Sequence, residues 1–453
     1  MPGLLDGSPV DSLAEYEMRG GGEALRMLNT IGADGVVDEL ERSGLRGRGG
    51  AGFPTATKWR AIMAGGPEVG ERFVVANGAE GEPGTFKDRA LLRHNPYQLV
   101  EGVLIAARTI EARRAFIALK ASFALEAERV AEAVDEFAAA GRAPEIQVEL
   151  VQGPDEYLFG EEKALLEVIE GEEPLPRMFP PYLYGLFTTN PQFGWSAGTT
   201  GRDYEPDGSN PTLVNNIETL STIPGIVRHG GDWHCEFGTE ESPGTIICTI
   251  SGDTVRHGVG EFELGTPVRD VIFELGGGLP EGRALKYILS GISNPILRGE
   301  QVDTPLTYEH MAAAGAGLGT GGLIVYDDRT DPVELARGVS QFLSVESCGQ
   351  CPPCKLGSLA VNDLLDQIGP DTESRVFAQL SARLANVTDG ARCFLPSQEQ
   401  HVVASLVNDM HDPSMRTDPR GILVTKLVDL VDDRFVLDER QARKRPDWTY
   451  EPG

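Results

Sequence analysis

Residues 71–151 read ERFVVANGAEGEPGTFKDRALLRHNPYQLVEGVLIAARTIEARRAFIALKASFALEAERVAEAVDEFAAAGRAPEIQVELV, and their pattern decides the fold. Three short apolar runs, ERFVVAN (71–77), RRAFIALK (113–120) and EIQVELV (145–151), have strand length and strand composition. Between them lie two longer patterns with helical periodicity, PYQLVEGVLIAARTI (96–110) and SFALEAERVAEAVDEFAAA (122–140). This β-α-β-α-β order implies a parallel sheet covered by helices, with ligands at the carboxyl ends of the strands.

Three loops should meet at that end. The first strand runs into Asn77-Gly78-Ala79-Glu80-Gly81-Glu82-Pro83-Gly84, rich in glycine and acid. The third runs into GPDEYLFGEEKALLEVIEG, where Glu161 and Glu162 open a helix. Upstream, SGLRGRGGAGFPTATKWR (43–60) sets Gly44, Gly47, Gly49, Gly50 and Gly52 among Arg46 and Arg48, ahead of a helix-like run with Lys58 and Trp59. Dense glycine lets backbone N–H groups approach a ligand, and nearby cations with a helix N-terminus suit a phosphate. The spacing Gly47-x-Gly49-x-x-Gly52 matches a dinucleotide fingerprint, yet it follows the helix-like VVDELERSGL instead of a strand, which argues against an ordinary Rossmann site. A flexible linker is the plainer alternative.

Outside this core, residues 10–45 read as two helices, DSLAEYEMRGGGEALRML and ADGVVDELERSG. Residues 172–211 form an irregular stretch rich in proline and aromatics, and PTLVNNIETLSTIPGIVRHG then starts a helix bearing Asn215 and Asn216. A small α+β unit spans 245–326, a helical region surrounds the cysteines over 332–411, and a helical tail is expected beyond. The expected domains are 1–60 (helices and glycine loop), 61–240, 241–330 and 331–453.

Six cysteines are present, and Cys348, Cys351 and Cys354 form C-x2-C-x2-C with Cys393 as the only later one. Three thiolates in seven residues, each on a different iron, with a distant fourth, suit a [4Fe–4S] cube. Zinc more often takes two separated pairs, and no thioredoxin-like context supports a redox disulfide. Cys235 and Cys248 read as core thiols. They cannot form a second four-cysteine cluster, so an electron reaching the first must leave to another protein.

The formal charge of −29 argues against broad nucleic-acid binding and suits a soluble protein with docking surfaces. The basic run Arg440, Arg443, Lys444, Arg445 reads as a solvated tail. No apolar stretch reaches the ~18 residues of a membrane span, and the N-terminus lacks a secretory pattern. A cytoplasmic location follows, with attachment to the inner face of the membrane only through a complex.

The motifs SGLRGRGGAGFPTATKW, NGAEGEPGTFKDR, YLFGEE, PTLVNNIET and ESCGQCPPCKLG occur in the order of one family. Over residues 12–411 the chain resembles the NADH-binding flavoprotein subunit of respiratory complex I. It equally resembles the diaphorase subunits of NAD-linked formate dehydrogenases and hydrogenases. The resemblance implies an N-terminal helical segment, a Rossmann-like FMN domain, a ubiquitin-like β-grasp (SLBB) domain and a helical bundle holding [4Fe–4S]. It implies FMN contacts at Gly47, Arg48, Gly49, Gly50, Lys58, Asn77 and Glu80, with Tyr157, Gly160 and Glu161 as a third loop and Asn215, Asn216 and Thr219 closing the site. Phe53, Glu82, Glu162 and Phe187 would contact NAD(H) in the same cavity, and Glu162 would repel a 2′-phosphate, favouring NADH over NADPH. The implied partner is an iron–sulfur subunit of thioredoxin-like [2Fe–2S] type. Catalysis would need no acid or base residue, because hydride passes directly to FMN.

Bland readings stand beside these. Asn215 and Asn216 could cap a helix, Glu161 and Glu162 could be first-turn acids, and Phe53 and Tyr157 could be core aromatics. The chain departs from the family at Ala61, Ala79, Gly81, Phe159 and Lys355 and carries about twenty extra residues between 187 and 210, a candidate lid or docking element. Besides an NADH-oxidising subunit, the sequence allows an NAD-reducing or flavin-bifurcating subunit, or a catalytically silent scaffold.

Overall fold

Strands β1 (Phe73–Gly78), β2 (Arg114–Lys120) and β3 (Gln147–Gly153) lie where the alternation places them. A fourth, β4 (Thr212–Asn216), joins them; its five residues hide at the head of what reads as a helix. All pairs are parallel, with Phe73 opposite both Arg114 and Thr212, and Arg114 opposite Gln147. The order is β3-β2-β1-β4. The chain therefore steps outward twice and returns to the far side of β1, which puts the topological switch point between β1 and β4. The computed structural model describes residues 3–64, 70–188, 209–369, 372–420, 427–431 and 434–438. The extra segment between 187 and 210 and the basic tail lie almost wholly outside them.

Two compact units divide the chain, Met1–Gly81 with Lys87–Ile246, and Glu82–Phe86 with Ile247–Gly453. In the first, α1 (Leu13–Met18) and α2 (Glu23–Arg42) precede α3 (Thr55–Met63). The first expected helix is interrupted at Gly20 and Gly22, both at positive φ, and Gly32 (φ 70°) kinks α2. Then come α4 (Lys87–His94), α5 (Pro96–Thr109), α6 (Ala124–Ala139), α7 (Glu162–Ile169), α8 (Ile217–His229) and α9 (Gly231–His234). Alternate residues of β1 serve opposite faces: Val74 and Ala76 pack with residues of α2, α5, α6 and α8, whereas Phe73 and Val75 pack with Phe159, Leu165 and Leu186. Burial on both faces explains why these strands read as nearly continuous apolar runs.

The second unit holds a mixed sheet of β5 (Thr245–Gly252), β6 (Gly258–Glu263), β7 (Leu285–Ser290), β8 (Leu297–Arg298) and β9 (Gly322–Asp327) in the order β6-β5-β9-β7-β8. Its central β5–β9 pair is parallel and β7 runs antiparallel to β9, the pattern expected of a β-grasp. Helices α10 (Val268–Gly276) and α11 (Tyr308–Ala313) accompany it. A bundle follows, of α12 (Pro332–Glu346), α13 (Pro352–Asp366), α14 (Ser374–Asn386) and α15 (Leu395–His411). The expectation of a helical tail is corrected: β10 (Leu427–Val431) and β11 (Arg434–Asp438) form an antiparallel hairpin. Valine, leucine and phenylalanine dominate those ten residues, a strand composition.

Candidate functional site

The glycine-rich loop folds back on itself before α3. Gly47 N–H donates to the Phe53 carbonyl (2.9 Å) and Thr55 N–H to that of Leu45 (2.9 Å). Gly50 (φ 115°) and Gly52 (φ 62°) adopt backbone conformations that other residues rarely take. The loop closes on the end of β4: a Cβ at Gly49 would stand 3.3 Å from the Asn216 Cβ. Arg48 N–H donates to Thr219 Oγ1 (2.8 Å), and its buried guanidinium donates from Nε to the Thr245 carbonyl (3.0 Å). The Arg48 side chain thus braces the loop from within. Asn215 Oδ1 accepts from the buried Trp59 Nε1 (3.0 Å), which fixes α3 against β4.

Asn216 is the hinge of this arrangement. Its Oδ1 accepts from Glu218 N–H (3.0 Å), capping α8, while Nδ2 donates to Asp88 Oδ2 (2.8 Å) and the Asn77 carbonyl (3.4 Å). One side chain therefore both caps α8 and ties β4 to the loop after β1. Asn77 Nδ2 in turn donates to the Gly160 carbonyl (2.8 Å). A Cβ at Gly160 would lie 2.8 Å from the Ala79 carbonyl oxygen, so only glycine allows the third loop this close to the first. Glu161 caps α7, accepting from the N–H groups of Lys163 (2.9 Å) and Ala164 (3.1 Å), and burial pushes its carboxyl up to about 7. Lys58 Nζ pairs with Glu162 Oε2 at 2.9 Å, joining α3 to α7. Phe53 is 53% exposed, so it is not a core aromatic.

Loop residues from both sides of the switch point, Gly47 to Lys58, Asn77, Glu80, Tyr157 to Glu162 and Asn215 to Thr219, thus gather at the carboxyl end of the parallel sheet. Phe187 is not brought there. It packs on Phe73 (5.4 Å between ring centroids) and under the Arg114 guanidinium (4.9 Å), and these residues begin β1 and β2. That is the amino end of the sheet. Glu82 belongs to the second unit, where its Oε1 accepts from Ile292 N–H (2.7 Å) and Ser293 Oγ (2.8 Å).

Behind Asn216 lies a set of charges of which only Glu80 was singled out in the sequence. Lys87 Nζ forms an ion pair with Glu218 and donates to the Arg48 carbonyl (2.7 Å). Glu80 Oε1 accepts from Asp88 N–H (3.0 Å). For Lys87, Asp88 and Glu218 the sequence offered only a Lys-Asp pair after an acidic loop, which any solvated turn could carry.

His234 supports the glycine loop from below. Fully buried, it holds the Ser43 carbonyl through Nδ1 (2.9 Å), and burial, with Arg48 beside it, pulls its pKa down to about 4. Its unfolded value is near 6.5. Between those values the unfolded chain binds a proton the folded one does not, so this stability is complete above 6.5 and is lost toward 4, at up to about 1.4 kcal/mol per pH unit. Urea midpoints should fall from neutral pH to pH ~5 more steeply in the native protein than in His234→Gln. Parallel slopes would remove His234 from the acid response.

In the second unit, three cysteines surround the start of α13. Cys351 immediately precedes that helix, Ser347 Oγ lies 3.3 Å from Cys354 Sγ, and Gln350 Nε2 lies 3.7 Å from Cys348 Sγ. Arg392 Nη1 donates to Gln350 Oε1 (2.7 Å), which brings the turn holding Cys393 to the same loop. Lys355 Nζ caps the end of α12 at the carbonyls of Ser344 (2.7 Å) and Ser347 (3.1 Å). All four are free thiols. Burial, with Cys348 and Cys351 adding, pushes the Cys354 thiol up to about 11. Among the described residues no three such donors converge as a single-ion site. One thiolate per iron is what a cubane asks of this chain, and metal would displace the thiol protons. Of the two remaining cysteines, Cys248 is buried as expected, but Cys235 is exposed.

Residues 40–225 match the family described as the Nuo51 FMN-binding domain, and residues 334–414 match the NADH-ubiquinone oxidoreductase-F iron-sulfur binding region. The F subunit of the NADH-quinone oxidoreductase of Mycobacterium tuberculosis (strain ATCC 25618 / H37Rv) is 37% identical over 376 residues, 79% of each chain. The chain belongs to the family of NADH-quinone oxidoreductase F subunits. FMN and a [4Fe–4S] cluster are accordingly its cofactors. The HndC subunit of the NADP-reducing hydrogenase of Solidesulfovibrio fructosivorans is 33% identical over 403 residues, 87% of this chain and 77% of that one. A chain of an NAD+-reducing [NiFe]-hydrogenase superposes with a TM-score of 0.75 at 30% identity, over 91% of this chain and 68% of its own. Among the described residues no helix is long and apolar enough to cross a membrane.

Proposed function

We propose that this chain exchanges hydride with NADH at FMN and passes the electrons singly through its [4Fe–4S] cluster to another member of a redox complex. The observation that carries the reading is the closure of the glycine loop, the Asn77 loop and the Gly160 loop on one another at the β1/β4 switch point, in a chain with a C-x2-C-x2-C…C cluster set. FMN accepts two electrons as hydride and releases them one at a time, which is the conversion that nicotinamide and an iron–sulfur cluster require between them. The chain's residues supply binding and orientation. Backbone N–H groups of Gly49 and Gly50 and the Lys58 ammonium suit the flavin phosphate, and Asn77, Asn215 and Asn216 hold the loops that enclose the ring. Phe53, at the exposed edge, offers a face to the nucleotide.

Glu162 disfavours a 2′-phosphate by charge repulsion, so the expected donor is NADH. With flavin and iron fully loaded, anaerobic NADH should bleach the flavin band, and NADPH should do so far more slowly. A loaded protein that NADH leaves oxidised would end this reading. The likeness to the HndC subunit and to the NAD+-reducing hydrogenase supports a second physiological setting with the same half-reaction, nicotinamide reduction driven by another subunit. The subunits that copurify with the native chain distinguish the two, and show whether a thioredoxin-like [2Fe–2S] protein is among them.

A further inference from the structure

Three carboxyls crowd behind Asn216. Asp88 and Glu218 are buried and Glu80 is half-buried in the first unit, and the Lys87 ammonium lies against Glu218. Lys87 is committed to Glu218 and to the Arg48 carbonyl. Asp88 is 4% exposed; its Oδ2 accepts from Asn216, and its Oδ1 has no hydrogen-bond partner among the described residues. An ionised carboxylate with a bare buried oxygen is costly, and the neutral acid avoids that cost.

Arg89 lends its charge to Glu80, and its backbone N–H donates to Glu80 Oε2 (3.4 Å). On the α6 side, the Nε atoms of Arg89 and Arg93 are both bonded to the buried Glu126. On the α5 side, the buried carboxylate of Glu101 accepts from Tyr16 and from the N–H groups of Gly22 and Leu25. From α8 comes Glu218, from β4 the uncharged Asn216, and from the loop after β1 the second carboxyl, Glu80.

We propose that Glu80 and Asp88 hold one proton between them at neutral pH, and that this proton is linked to the redox state of the flavin through Asn216. Burial, with Glu80 beside it, drives Asp88 well above the usual carboxylate range, and burial raises Glu80 as well. Two interacting acids of this kind titrate as a pair. A flavin bound in the β1/β4 crevice would gain one negative charge on receiving hydride, and Asn216, bonded to Asp88, would carry its influence to the pair. The pair answers by keeping or taking up a proton from solvent as that charge arrives and by releasing it as the electrons leave. Asp88 is a positioning residue in this scheme; it need not touch substrate.

The inference rests on FMN occupying the β1/β4 crevice, so the test begins by extracting and counting bound FMN in the full-length protein. The flavin midpoint is then followed electrochemically, without NADH, across neutral to alkaline pH. The native protein should show a steeper pH dependence than Asp88→Asn, the difference corresponding to up to one linked proton per two electrons. An infrared redox difference spectrum of the native protein should show a protonated-carboxyl band that changes on flavin reduction. Equal pH slopes in native and flavin-loaded Asp88→Asn overturn the inference. If that variant fails to fold, a native spectrum without the carboxyl change overturns it equally. A folded chain without FMN would instead fail the earlier reading.

Discussion

Gly49→Val is expected to abolish FMN binding while leaving the iron–sulfur cluster in place. The Cβ alone would stand 3.3 Å from the Asn216 Cβ, and two further methyl groups must go either toward Asn216 or into the crevice. Neither direction is open. Pushing Asn216 breaks its bonds to Asp88 and the Asn77 carbonyl and uncaps α8. Filling the crevice blocks the approach of a ring to the loop backbone. Overpacking of this kind costs about 1–3 kcal/mol before any ligand contact is lost, and about 3 kcal/mol is already a hundredfold in affinity. Purified Gly49→Val should carry little extractable FMN, with iron and acid-labile sulfide at native levels. Stoichiometric flavin in the variant would place the ring elsewhere.

The parallel sheet was legible because its strands are buried on both faces and so read as unbroken apolar runs; β4 was not, because Thr212–Asn216 runs directly into α8 without a turn. The iron–sulfur region was legible because Cys348, Cys351 and Cys354 stand in close local spacing. The glycine loop could be read as a binding element, but its partner could not: Asn216 lies 167 residues from Gly49, and only the strand order brings them together. The same holds for Lys87 and Glu218, an ion pair spanning 131 residues. Phe187 shows the opposite failure. Its place in the sequence matched a nucleotide contact, yet the return of the chain into β4 leaves it at the amino end of the sheet, against Phe73. Sequence spacing reports which groups a loop offers, whereas topology decides what they face.

Cys354→Ser is expected to remove the [4Fe–4S] cluster and to cut electron delivery to one-electron acceptors that draw on it, with flavin reduction by NADH intact. The serine hydroxyl holds its proton far above the range of a thiol and does not replace a thiolate on iron. The position is also the most sheltered of the four, its thiol already pushed up to about 11 by burial, so a lost bond to metal there is not made good by water. Metal binding is folding free energy for the segment that wraps it, and without metal the turn Ser347–Cys351 is held to the Cys393 turn by the Arg392–Gln350 bond and by packing. The variant should therefore lose iron, sulfide and the reduced-cluster electron paramagnetic resonance signal, and become sensitive to proteolysis between α12 and α13. Cys235→Ser is the matched control: that thiol is exposed, donates to the Arg42 carbonyl at 3.2 Å and lies in the first unit, so cluster content should not change. A full cluster signal in Cys354→Ser, or its loss in Cys235→Ser, would require a different ligand set.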